Sequence, residues 1–331
     1  GGQLMDRAEI PGLRRSLPAV VQGATAVFGD NSVDDRYGLL DDVLAAGIDA
    51  FDTGMVYADA LGTCDGRLGS WIAEQGIRHD VTVIGKGCHP APPDWSVSRV
   101  RPEYVAEDLD RTLDRMGTDY LDLWLFHRDD TTVPVDELAD AAAKLVEAGL
   151  ADAWGVSNWT VDRLREAREV SAANDWVPPV VTSPHFSLVH QVAEPWPGVV
   201  SIAGPAAVED REWLADEGIP VLAWSSLAGG YLTDGIDARL LADPDTAVVA
   251  EAARCYHSPE NWSRRQRAVD LAAGRDCTLE QMAVAWVLTA PFPTHALCAS
   301  RTGVEARANM DAVDVALSPA ERSWLEGGGG Q

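Results

Sequence analysis

The sequence predicts an α/β protein, a closed parallel (β/α)8 TIM barrel with long loops at the carboxyl-end face. Three observations predict it: eight short apolar runs, amphipathic helical stretches between them, and chemically active side chains where several runs end. The runs at 19–23, 48–52, 81–86, 121–126, 152–157, 180–183, 220–224 and 294–299 read as buried strands, being short, apolar and bounded by turn-forming residues. Helical patterns fall at 33–46, 102–116, 135–148, 161–174 and 208–217, and several end at glycine, which accepts the left-handed backbone that closes a helix. A chain of 331 residues with 46% apolar content can bury such a barrel as a single domain, taken as 4–326. The glycine-rich ends, 1–3 and 327–331, are expected to be flexible.

Along the chain, the second run ends in Phe51-Asp52-Thr53-Gly54-Met55-Val56-Tyr57, which sets a phenol five residues beyond a carboxylate. The third ends on Lys86, one of only two lysines in the sequence. A phenol, a carboxylate and an ammonium at the ends of successive strands make a proton-donor site. A nearby cation favours phenolate and lowers the tyrosine pKa from its usual value of about 10. Where arginine almost replaces lysine, a lysine that closes a buried strand is there for its titratable ammonium. The fourth run delivers His127 to the same rim. Two connections are unusually long, 187–207 and 228–260. Two readings stand for them, walls of the substrate pocket or surface insertions. The segment 254–261 reads either as a flap over the site or as a capping turn before a helix from Asn261.

The charge balance is 26 basic against 52 acidic residues, a formal net charge of −26, which argues against nucleic acid or an anionic membrane as partner. Two alternatives stand for its origin, salt adaptation or a GC-biased genome. Five scattered cysteines lack paired or metal-type spacing and are expected to be free thiols. With no apolar run long enough for a membrane span and no signal-peptide pattern, a cytoplasmic location is expected. His185, His190 and His257 do not form metal-ligand spacing with neighbouring carboxylates, so no metal is expected. His127-Arg128-Asp129-Asp130 lacks the companions of a kinase catalytic loop, and no G-x-G-x-x-G follows the first strand.

The chain resembles the aldo-keto reductase superfamily over about residues 20–309. The likeness rests on five elements in order: the 51–57 segment, Lys86, Phe126-His127-Arg128, Trp154-Gly155-Val156-Ser157-Asn158-Trp159, and the stretch from Leu222 to Gly230. It implies an oxidoreductase in which a nicotinamide cofactor gives hydride to a carbonyl while Tyr57 donates the proton. Asp52 would position Lys86, Lys86 would depress the phenol's pKa, and His127 would hold and polarise the carbonyl oxygen. Carried over the same way, Ser157 and Asn158 would hold the nicotinamide carboxamide, with Ser183 standing where the family has glutamine, and Trp224 would stack on the ring. Gly23 joins the cofactor set at the first strand end, and Ser225, Ser226 and Leu227 match the segment that wraps the pyrophosphate. Ser300, Arg301 and Arg307 would hold a 2′-phosphate and Asn309 the adenine, which favours NADP over NAD. Trp95, Arg128 and Trp159, with the two long loops, would line a pocket for an aldehyde, a ketone or a sugar-like carbonyl. The alternative is a cofactor-binding sensor or regulatory subunit with little turnover.

Overall fold

The computed structural model describes residues 7–29, 35–58 and 62–328. A small antiparallel pair, β1 (Arg7–Ala8) and β2 (Leu17–Pro18), comes first. There follow β3 (Val20–Gly23), α1 (Ala24–Phe28), α2 (Arg36–Ala45), β4 (Ala50–Asp52), α3 (Thr63–Gln75), β5 (Thr82–Gly87), α4 (Pro102–Met116) and β6 (Leu121–Phe126). Then come α5 (Val135–Glu147), β7 (Ala151–Ser157), α6 (Val161–Asn174), β8 (Thr182–Ser183), α7 (Val208–Asp216) and β9 (Val221–Ala223). The chain continues through α8 (Ala238–Ala242), α9 (Ala247–Tyr256), α10 (Pro259–Ala273), α11 (Leu279–Leu288), β10 (Thr294–Cys298), α12 (Gly303–Asp311) and α13 (Pro319–Gly327). Strands β3 to β10 close into a parallel barrel in the order β10-β3-β4-β5-β6-β7-β8-β9. Each of the eight apolar runs becomes one barrel strand.

Two apolar layers hold the barrel. Inside it, Val21, Ala50, Ile84, Leu123, Leu125, Ala153, Val181 and Leu222 meet Ile10 and Leu17 from the small hairpin, which floors the barrel at its amino end. Asp49 takes ion pairs from Arg7 at 3.0 Å and Arg15 at 2.9 Å, and Asp152 takes one from Arg14 at 2.8 Å. Strands two residues long carry no alternation to read, so this floor leaves no trace in the apolar pattern. Outside the barrel, the other faces of the strands pack on the helices through large buried rings, among them Trp71, Trp124, Trp154 and Trp286.

The connections differ from expectation more than the strands do. The 228–260 stretch is not a bare loop, because Asp237 and Thr246 cap α8 and α9 by accepting from the amides of Leu240 and Val249. In the 254–261 segment, Ser258 caps α10 by accepting from Asn261, and Pro259 takes the first helical position, so the capping reading holds. The side chain of Asn261 is buried and bridges to His190 and Tyr256. The 187–207 stretch stays irregular until a short 3-10 turn at Pro205–Ala207. Residues 33–34 of the predicted 33–46 helix and the ends 1–3 and 329–331 lie outside the described residues. Gly327, expected in a flexible tail, closes α13, and Gly328 caps it at φ 71°. The five cysteines are unpaired. Lys144, in the last turn of α5, is exposed beside Asp140. Among the described residues, no helix is long and apolar enough to cross a membrane.

Candidate active site

The carboxyl ends of β4, β5 and β6 bring the four predicted chemical groups together. Asp52 closes β4, and Thr53 continues the ladder by donating its amide to Ile84 O at 2.8 Å. The chain then turns at Gly54, whose carbonyl accepts from the Tyr57 amide at 2.9 Å. A β-carbon on Gly54 would lie 3.3 Å from the Tyr57 ring, so glycine lets the phenol fold back over the strand ends. Lys86 reaches across from β5, forms an ion pair with Asp52, and donates to Thr53 O at 3.2 Å and to the Tyr57 hydroxyl at 3.0 Å. His127 follows β6 and sits edge-on to Tyr57, with ring centroids 5.4 Å apart.

Burial dominates the electrostatics. It pushes the Tyr57 phenol above 10 although Lys86 pulls the other way, so the expected net depression by Lys86 does not hold. Burial also pulls on Lys86, but Asp52 and Tyr57 outweigh it and hold the ammonium above its ordinary value. For Asp52 burial raises the carboxyl against the opposing charge of Lys86. Burial, with Lys86, His89 and Arg128 nearby, holds His127 well below 6.5. The site at neutral pH is therefore a protonated phenol beside a lysine ammonium and a neutral imidazole.

The residues expected to contact a cofactor form a rim on the β3, β7–β10 side. Gly23 ends β3 in register with Asp52. The Ser157 hydroxyl donates to Ser183 O at 2.9 Å, and Asn158, at φ 59°, donates to His127 O at 3.3 Å and to Ser157 Oγ at 3.2 Å. Ser183 and Ser226 give their hydroxyl protons to Leu222 O and Ala223 O, each at 2.9 Å, leaving lone pairs for other partners. Trp224 follows β9 and is only partly buried, with Trp196 from the 187–207 stretch stacked on it at 5.6 Å and 23°. Ser225 sits at φ 52°, and Leu227 is half-buried beside it. Beyond β10, Asn309 donates to Ser300 Oγ at 3.0 Å, and Gln22 donates to Ser300 O at 3.1 Å. Arg301 is exposed, and its amide donates to Glu305. Arg307 turns away to Ala45 O and Ala46 O, at 2.7 and 3.3 Å, and caps the end of α2.

The pocket residues divide. Trp95 is exposed and meets His89 edge-on at 6.2 Å, and the Arg128 guanidinium stands 5.8 Å from the Trp196 ring. Trp159, expected to line the pocket, is 1% exposed: it packs on Phe126 and donates to Arg128 O at 2.9 Å, so it props Arg128 from behind. Sequence reading missed three neighbours. Thr53 donates to the buried carboxylate of Asp65 at 2.6 Å and so fixes the peptide that Lys86 uses. His89 lies 4.7 Å from His127, ring to ring. Trp196 covers part of Trp224. Asp65 did leave a trace, an acidic residue on the otherwise apolar face of α3 that buries Cys64, Leu68, Trp71 and Ile72. Among the described residues, no group of three or more His, Cys, Asp or Glu is assembled as a metal site.

Known proteins similar to this chain cover most of its length. A protein from Arabidopsis thaliana named probable voltage-gated potassium channel subunit beta is 26% identical over 309 residues, covering 88% of this chain and 86% of its own length. L-glyceraldehyde 3-phosphate reductase of Escherichia coli O157:H7 is 25% identical over 311 residues, covering 92% and 85%. An aldo/keto reductase from Klebsiella pneumoniae, solved in complex with NADP and acetate, superposes with a TM-score of 0.70 at 21% identity, covering 97% of this chain and 94% of its own. A thermostable aldo-keto reductase solved with the inhibitor epalrestat gives a TM-score of 0.72 at 21% identity, covering 98% and 100%. The sequence profile of the Aldo/keto reductase family matches residues 19–326, and the chain belongs to that family.

Proposed function

We propose that the protein is an NADP-dependent reductase that converts a carbonyl to an alcohol, with Tyr57 as proton donor. The observation that carries this reading is the hydrogen bond of 3.0 Å from Lys86 to the Tyr57 hydroxyl, beside the Lys86–Asp52 pair and the neutral ring of His127. When bound, the cofactor supplies the hydride. The chain's own part is to hold the substrate oxygen between the phenol and the imidazole and to give it a proton as negative charge develops there. Lys86 stabilises the phenolate left behind, and Asp52 keeps the ammonium in place. His127 has no charge of its own to repel, and acts as a neutral donor to the oxygen.

The rim residues suit a dinucleotide. On this rim, the acceptor Gln22 Oε1 beside Ser300 and the donor Trp224 Nε1 are buried without a partner among the described residues. Ser157, Asn158 and Ser183 would take the carboxamide, Trp224 the nicotinamide face, Ser225 to Leu227 the pyrophosphate, and Ser300 with Asn309 the adenosine end. Arg301 is the cation proposed for the 2′-phosphate, ahead of Arg307, whose guanidinium is committed to α2. A second reading, a cofactor-binding regulatory subunit, draws on the likeness to the Arabidopsis protein.

One assay separates the two: NADPH oxidation against aldehydes, ketones and aldoses, with wild type and Tyr57→Phe. Turnover that drops roughly 10²-fold or more in Tyr57→Phe, with cofactor affinity kept, supports the enzyme. Tight NADPH binding without turnover on any carbonyl supports the regulatory reading. For the cofactor, Arg301→Ala is expected to weaken NADPH roughly tenfold or more and leave NADH nearly unchanged in fluorescence titration, because only NADPH offers a phosphate to the guanidinium. A parallel fall in both affinities would assign Arg301 elsewhere.

A further inference from the structure

The pocket side of the mouth carries a charge that the reductase mechanism leaves unused. Arg128 follows His127 at the end of β6, and its backbone carbonyl is held by the Trp159 indole at 2.9 Å. Its guanidinium is half-buried, and Nη1 is fully covered yet has no hydrogen-bond partner among the described residues. Other covered arginines here are paired. Arg163 meets Asp129, Arg78 meets Asp122, Arg99 meets Asp108, and Arg265 donates to three backbone carbonyls. In a chain with 52 acidic residues, a half-buried guanidinium whose covered Nη1 meets neither a carboxylate nor a carbonyl among the described residues is a site waiting for an anion.

The surroundings of Arg128 say which anion. It directly follows His127 in the chain, its guanidinium stands 5.8 Å from the Trp196 ring, and its charge is felt by the Tyr57 phenol, His127 and His89, so it lies beside the proposed reacting centre. Burial, and no carboxylate, sets the direction of its pKa, which is downward, while Tyr57 opposes the shift. His89 Nδ1 lies 2.7 Å from Pro90 O. A carbonyl oxygen only accepts, so Nδ1 carries the proton, and in the neutral ring Nε2 is left as an acceptor. Burial holds that ring neutral by keeping its pKa below 6.5. The mouth thus offers a carbonyl-oxygen site at Tyr57 and His127, a hydroxyl acceptor at His89 and an anion donor at Arg128. The net charge of −26 opposes an anion at long range, but that field is screened over about 8 Å at physiological ionic strength, whereas a contact with Arg128 is not.

Building on the reductase reading, we infer that the natural substrate is an anionic carbonyl compound, one whose carboxylate or phosphate pairs with the guanidinium of Arg128 while its carbonyl oxygen meets Tyr57 and His127. A hydroxyl between the two groups would find His89.

The test compares matched pairs that differ in the anion: succinic semialdehyde against butanal for a carboxylate, and glyceraldehyde 3-phosphate against glyceraldehyde for a phosphate. In wild type, the ratio of kcat/KM, anionic over neutral, is expected to exceed ten in at least one pair, and that pair names the anion. Arg128→Met should lower the ratio at least tenfold, and Arg128→Lys should restore part of it, since the charge returns without the fork. Being internal to each variant, the ratio is unaffected by a loss of folded protein. A wild-type ratio of one or less in both pairs, or a ratio unchanged in Arg128→Met, overturns the proposal. 4-Nitrobenzaldehyde reports on the reductase reading alone, as it carries no anionic group. If no carbonyl is reduced, calorimetric titration with inorganic phosphate and with succinate still decides the anion site. Binding at least tenfold weaker in Arg128→Met upholds it, and no binding to either form removes it.

Discussion

On the proposed reading, Tyr57 sets the direction of the reaction. Its phenol is held above 10 by burial, with Lys86 opposing, so the protonated form that the proposed reduction needs is fully present at neutral pH. Reduction should therefore hold level from about pH 6 to 9 and fall only as pH rises past the phenol's raised pKa. Oxidation of the alcohol needs the phenolate and should gain about tenfold per pH unit across the same range. Since burial keeps His127 well below 6.5, no second loss is expected near pH 6.5 from its protonation. Profiles of kcat in both directions check this, and a bell centred near pH 7 for reduction would contradict it. Asp52, Tyr57, Lys86 and His127 were legible because each sits at or just beyond a strand end, and strand ends converge in a closed barrel. The contact of Thr53 with Asp65 was not, since it joins a strand to the inner face of a helix through a hydrogen bond of 2.6 Å that no periodicity encodes. Trp159 was misread for a related reason: two residues past a strand end, a side chain faces either mouth or core, and only packing against Phe126 decides.

At the level of elements, the 187–207 stretch is held by its neighbours more than by itself. Arg254 from α9 donates to Glu194 O at 2.8 Å and Pro195 O at 3.1 Å, the two residues before Trp196. Asn261 from α10 accepts from the His190 amide at 3.1 Å and donates to His190 O at 2.7 Å and Tyr256 O at 2.6 Å. Removing that buried amide leaves several backbone groups without partners. Asn261→Ala should therefore cost about 1–3 kcal/mol, read as a lower midpoint in urea denaturation. A midpoint unchanged from wild type would show that water replaces the bridge. The eight strands could be read because they are continuous and apolar. Helices α8 and α9 could not, because each is short and depends on a single capping side chain, Asp237 or Thr246, within a polar stretch.

Across the whole molecule, the excess of acidic residues acts on stability without touching the site. With 52 acidic and 26 basic residues, much of the acidic charge has no ion-pair partner, and self-repulsion opposes the compact state. Added salt shortens the screening length from about 10 Å at 0.1 M to about 3 Å at 1 M, so the melting temperature should rise with sodium chloride over that range. A flat or falling melting temperature would show that the acidic surface is already balanced by its ion pairs. The closed barrel separates these two influences. Its interior and floor are set by Ile10, Leu17, Val21, Leu123 and Leu222, far from surface charge, and the net charge that was plain in the sequence says nothing of the reaction.

The two lysines of this chain live in opposite surroundings, 3% exposed for the Lys86 side chain and 65% for Lys144. Helices run back from the mouth of a parallel barrel, so Lys144, in the last turn of α5, stands toward the amino end of the strands, away from the candidate active site. Apart from the terminal amine, an amine-directed reagent has one accessible side chain to find. A support or dye coupled there would hold the protein with its mouth facing outward, and chemical tethering could be done on the unmutated sequence.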